Sequence, residues 1–84
     1  MTSLSEINRH LATRIRVARQ CAGMSQSELG QMLDLSSHQF QRYEAAVNSI
    51  GAGMLFVIAH ILDVELAYFF EGLDPGHFPG GWVQ

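Results

Sequence analysis

Between Ser36 and Glu44 the chain gathers side chains suited to reading a polar surface. On a helical wheel of about 100° per residue, Phe40 and Tyr43 share one side. Ser37, His38, Gln41 and Arg42 fall on the other, with Gln39 between them. The outward residues are hydrogen-bonding types whose reach matches base edges: arginine is bidentate to guanine, glutamine to adenine, and serine and histidine are more permissive. Two aromatics large enough to anchor the helix, behind an outer face of base-competent side chains, meet the needs of a reader of the major groove of duplex DNA. Polar outer faces are also the default for surface helices, so the wheel alone leaves that plainer explanation standing.

Other chemistry has less support. His60 and Asp63, three apart, could form two corners of a metal site, but spacing supplies no third ligand and two do not make a zinc site. No metal and no cofactor are expected. His10 and His77 read as solvated. His38 is the exception, because it faces the proposed groove, and DNA affinity that depends on it should rise in mild acid. There is no glycine-rich phosphate loop, nucleophile elbow or pair of carboxylates, so an enzyme is not expected. The single cysteine, Cys21, excludes an internal disulfide and a four-thiolate zinc site. It abuts an apolar helix end and reads as a core or boundary thiol, while Met24, Met32 and Met54 read as core filling.

The elements that must position these residues are helical, because apolar residues recur at three- and four-residue steps without strand-like alternation. Ile7, Leu11, Ile15, Ala18 and Ala22 form the stripe of a first helix that stops at Gly23. Arg9 and Arg16 fall on its wet face, and Arg14 and Arg19 flank the stripe. Ser25-Gln26-Ser27-Glu28 is a capping box opening a second helix through Leu29, Met32 and Leu33. After the short turn Asp34-Leu35, Ser36-Ser37-His38-Gln39 repeats the box and opens a third, which is helix-turn-helix spacing. Ala45 to Gly53 reads as a loop. A fourth helix runs from about Ala52 to Leu62, with Leu55, Ile58, Ala59 and Leu62 inward, and Val64 to Phe70 forms a short fifth ending at Gly72. The predicted organisation is one domain over 1–73 and a Gly/Pro-rich tail over 74–84.

Composition agrees with one small helical domain. The chain has 84 residues, 48% apolar and 15% charged, too oily for a disordered segment. Residues 1–44 hold all five arginines against Glu6, Glu28, Asp34 and Glu44; residues 45–84 hold no base and four acids, and the net charge is −3. Domains that grip nucleic acid are usually basic, so charge counts against strong non-specific DNA binding. The longest apolar stretch, Ile50 to Leu62, is short of the roughly 20 residues of a membrane span. Met1 to Asn8 contains no secretory core. No membrane partner and a reducing, cytoplasmic setting are expected.

The ordered string of features resembles one family. Arg19 and Gly23 lead into Met24-Ser25-Gln26-Ser27-Glu28-Leu29-Gly30, then Leu33-Asp34-Leu35-Ser36 and Gln41-Arg42-Tyr43-Glu44. Leu55-Phe56-Val57-Ile58-Ala59 follows, and Phe69-Phe70-Glu71-Gly72 closes the series. Over roughly residues 8–73 this is similar to the Cro/repressor-type (Xre-like) helix-turn-helix domain. The resemblance implies an all-α, five-helix bundle that binds operator DNA as a homodimer. It makes Ser36–Glu44 the recognition helix and implies a DNA-contacting set of Gln26, Ser36, Ser37, His38, Gln41 and Arg42. In that set Ser37, His38 and Arg42 would read bases, with Gln41 beside them, and Gln26 would hold a backbone phosphate. Arg19 and Glu44 match a family ion pair between the first helix and the recognition helix.

The sequence departs from that pattern in three places. Where the family often has Lys-Gly and further bases after its Tyr-Glu, this chain has Ala45-Ala46-Val47-Asn48-Ser49, without a charge. Each lost phosphate contact removes about one counterion-release term from the affinity. The family's turn also often carries glycine where Asp34 stands, and aspartate tolerates the left-handed conformation better than most residues. The fourth helix is unusually apolar: Phe56, Val57 and Ile61 occupy positions the family keeps more polar, and Tyr68 and the apolar residues of the tail follow. That excess points to a partner surface, most simply a second copy about a two-fold axis. A transcriptional regulator reading a palindromic operator is therefore expected, most simply a repressor. The alternative is a protein-interaction module on the same fold, antitoxin-like or bound to a partner regulator, with weakened DNA binding.

Overall fold

A computed structural model describes residues 3–73. Among them every regular element is a helix: α1 (Leu4–Cys21), α2 (Gln26–Met32), α3 (Ser37–Glu44), α4 (Ala52–Leu62) and a 3-10 helix (Leu66–Phe70). The two capping boxes form as their spacing implies. Ser25 Oγ accepts from the Glu28 N–H while Glu28 Oε1 accepts from the Ser25 N–H, and Ser36 and Gln39 make the same reciprocal pair. Two orphan donors are satisfied at each helix start, which fixes where α2 and α3 begin.

The core is one cluster. Leu11, Ile15 and Ala18 of α1 meet Leu29 of α2, Phe40 of α3, Leu55, Ile58, Ala59 and Leu62 of α4, and Phe69 of the 3-10 helix. Ala12 is buried as well. Three chain reversals rest on non-glycine residues in the left-handed region: Asp34 (φ 60°), Ala46 (φ 59°) and Asp63 (φ 56°). Aspartate accommodates this conformation through its short polar side chain; at Ala46 the Cβ costs about 1 kcal/mol.

Several expectations are corrected. The fifth helix is a 3-10 turn starting at Leu66, not an α-helix from Val64; five residues with no side-chain cap at Glu65 favour the tighter, short form. Ala22 caps the end of α1 and is exposed, as is Cys21. Met32 is 58% exposed rather than core filling, while Met24 and Met54 do pack against the core. His10 is half-buried rather than fully solvated, and its Nε2 is buried without a hydrogen-bond partner among the described residues. Gly72 (φ 93°) lies close to the ring: a Cβ there would come within 3.2 Å of Cε1. Arg16 is exposed, as expected of the wet face, and it also reaches α3. The tail, with His77, Phe78, Trp82 and Val83, lies outside the described residues.

Candidate nucleic-acid interface

The outer surface of α3 is built from the turn upward. The Leu35 N–H donates to the Gly30 carbonyl at 2.8 Å, folding α3 back across α2. The crossing is close because residue 30 has no side chain: a Cβ there would stand 3.2 Å from the Leu35 carbonyl oxygen and 3.4 Å from Phe40 Cβ. Phe40 is fully buried beneath it, and Tyr43 is half-buried beside it. With that side anchored, Ser37, His38, Gln41 and Arg42 are all exposed. Ser37–Gln41 and His38–Arg42 are two i, i+4 rows, each about 6 Å along the axis. That length covers roughly two base-pair steps of 3.4 Å. Among the described residues Arg42 forms no ion pair, so its guanidinium is available to a ligand.

The end of α3 is fixed by Glu44, whose side chain is almost wholly buried. Arg19 grips it with both prongs, Nε to Oε2 at 2.6 Å and Nη2 to Oε1 at 3.0 Å, and its Nη1 donates to the Met24 carbonyl at 2.8 Å. Gln26 Nε2 donates to Glu44 Oε1 at 3.0 Å. Arg16 Nη2 donates to the Glu44 carbonyl at 3.0 Å. One carboxylate thus ties α1, the start of α2 and the end of α3 together, and rigid supports of this kind hold a reading surface in register. Gln26, half-buried, thus places one amide N–H of its side chain on Glu44. The part taken by Arg16 was not legible on the wheel, because a long side chain wraps away from the direction of its own Cβ.

The other expected site residues divide. Phe56 is 66% exposed and Val57 43% exposed on α4, whereas Ile61 packs partly against the core. Tyr68 is half-buried under Arg14, whose guanidinium lies 3.9 Å from the ring centre, donates to the Tyr68 carbonyl at 3.0 Å and pairs with Glu71 at 2.8 Å. A shallow groove of about 350 Å³ runs between Phe56, Val64 and Leu66, with Asp63 and Glu65 among its lining. Among the described residues no group of three or more His, Cys, Asp or Glu could hold a metal ion. No helix there is long and apolar enough to cross a membrane.

Two capped helices crossing at a tight turn, the second with a free polar face, define the helix-turn-helix class. The chain is 36% identical over 76 residues to an uncharacterized helix-turn-helix-type transcriptional regulator of Rickettsia conorii, covering 90% of this chain and 61% of that protein. It is 43% identical over 65 residues to another of Sinorhizobium medicae, covering 77% and 47%. It is also 32% identical over 74 residues to an uncharacterized transcriptional regulator in the ATPase CF(0) region of Rhodospirillum rubrum, covering 88% and 68%. The chain belongs to this family of helix-turn-helix transcriptional regulators. It spans about half to three fifths of the length of the Rickettsia and Sinorhizobium proteins. No family profile and no solved structure matches it.

Proposed function

We propose that this domain is a sequence-specific DNA-binding regulator of the Cro/repressor-type (Xre-like) group, acting in the cytoplasm as a homodimeric repressor on a palindromic operator. The observation that carries this is the outer face of α3, where Ser37, His38, Gln41 and Arg42 stand free while Phe40 and Glu44 lock the inner face. Arg42 reads guanine, Gln41 adenine, and Ser37 and His38 flanking positions. Ser36, its oxygen already accepting from Gln39, donates its hydroxyl proton to a phosphate, and Gln26 holds another. Arg19 and Glu44 position the helix. Phe56 and Val57 meet their counterparts in a second copy, with Ile61 and Tyr68 at the rim. Two recognition helices then face half-sites about 34 Å apart. Repression is steric occupancy of the promoter and needs no metal or cofactor. Residues 1–73 form the binding domain and 74–84 an appended tail.

A second reading is favoured by one observation. The groove beside Phe56 carries Asp63 and Glu65, and residues 45–84 hold no base. A protein partner with a basic, apolar segment would fit it, as an antitoxin-like module requires. Titrating duplex DNA into labelled protein at low salt and following the backbone amides separates the two. Shifts concentrated between Ser36 and Tyr43 support DNA reading; an unresponsive α3 leaves the interaction module.

A further inference from the structure

Arg16 stands on α1 but reaches the carbonyl end of α3. Its Nη2 donates to the Glu44 carbonyl, and its Nε lies 3.8 Å from Glu44 Oε1. The last carbonyls of a helix carry a partial negative charge that a cation stabilises. The Glu44 carboxylate does not use up that cation, because the buried Arg19 already matches it through two bonds. Arg16, Arg19 and Glu44 together therefore retain one positive charge, and it sits on Arg16, whose side chain is 48% exposed. A guanidinium offers five N–H groups. Among the described residues Arg16 places only one of them in a hydrogen bond, leaving the Nη1 edge without a partner.

The surroundings make that edge useful. The segment after α3, Ala45–Ser49, carries no charge. A helix in a major groove about 12 Å wide has phosphate backbone close to its ends. The carbonyl end of α3 would repel those phosphates unless a cation stood there. We infer that Arg16 is a phosphodiester-binding residue. One edge of its guanidinium caps α3 and the other grips the DNA backbone, supplying from α1 the charge that the 45–49 segment lacks. Gln26 Nε2 donates to the same Glu44 oxygen that Arg16 Nε approaches, so a second donor stands beside it. This inference rests on α3 being the groove helix.

The test is binding of the whole chain, followed by fluorescence anisotropy, to its preferred duplex and to an unrelated duplex of equal length, between about 50 and 200 mM salt. For Arg16→Gln, affinity should fall by a similar factor on both duplexes. The slope of log affinity against log salt should flatten by about one for each bound protomer, and Arg16→Lys should restore it. A melting curve on each variant checks the fold. If the wild-type slope survives Arg16→Gln, Arg16 is a structural cap and the inference fails alone. If the loss appears on the preferred duplex only, Arg16 reads a base and the inference also fails. No binding by the wild-type protein overturns both this and the reading of α3.

Discussion

Glu44 and Arg42 sit two residues apart on α3 and do opposite work. Glu44 is buried and accepts from Arg19 and Gln26, so removing it strands the Arg19 charge inside the fold. Glu44→Ala should lower unfolding free energy by about 3–5 kcal/mol in chemical denaturation. The double change Arg19→Met with Glu44→Leu should be markedly more stable than Glu44→Ala, because it leaves no charge unpaired. Arg42 is exposed and makes no ion pair among the described residues, so Arg42→Ala should leave stability within about 0.5 kcal/mol of wild type. Its effect belongs to binding: a loss of about 1–3 kcal/mol on the preferred duplex, with relaxed preference at one base position. Equal losses on preferred and unrelated duplexes would make Arg42 a phosphate contact instead.

At the scale of the element, the capping boxes decide the most. Ser25 and Ser36 each stand three residues before Glu28 or Gln39, and that spacing was enough to place the starts of α2 and α3. The Glu28 carboxyl is held below its ordinary value of 4.5, first by the Ser25 backbone N–H and then by the Ser25 side chain. A lowered carboxylate adds stability that is complete above pH 4.5 and lost as pH falls through the lowered value. Glu28→Gln should therefore show a shallower drop of melting temperature in acid than wild type. Equal slopes would mean the box contributes nothing through charge. The inner face of α4 was legible in the same way, from Leu55, Ile58, Ala59 and Leu62 at helical steps. What was not legible depends on neighbours distant in sequence. Gly72 packs close to the His10 ring, Met32 stays 58% exposed, and Leu66–Phe70 tightens into a 3-10 turn while Phe69 enters the core. No local pattern encodes such contacts, because propensity and periodicity see only one helix at a time.

For the whole molecule, the unequal surface is the main feature. The arginines lie on α1 and α3, while the acids Asp63 and Glu65 line the groove beside Phe56 of α4. Phe56, 66% exposed, is the residue on which the proposed two-fold contact would centre. Phe56→Glu should shift the protein towards monomer in analytical ultracentrifugation, weakening association about tenfold or more, since burying a phenylalanine contributes about 1.5–3 kcal/mol. An unchanged sedimentation profile would place the dimer contact elsewhere. The net charge of −3 is compatible with DNA reading only if specificity rests on α3 and a few well-placed bases rather than on a basic surface. The most direct measurement is selection: the purified protein is mixed at low salt with random duplexes, and the retained sequences are read. An inverted repeat with half-sites one helical turn apart is expected. A retained pool no richer in any motif than the starting one would contradict sequence-specific recognition by α3.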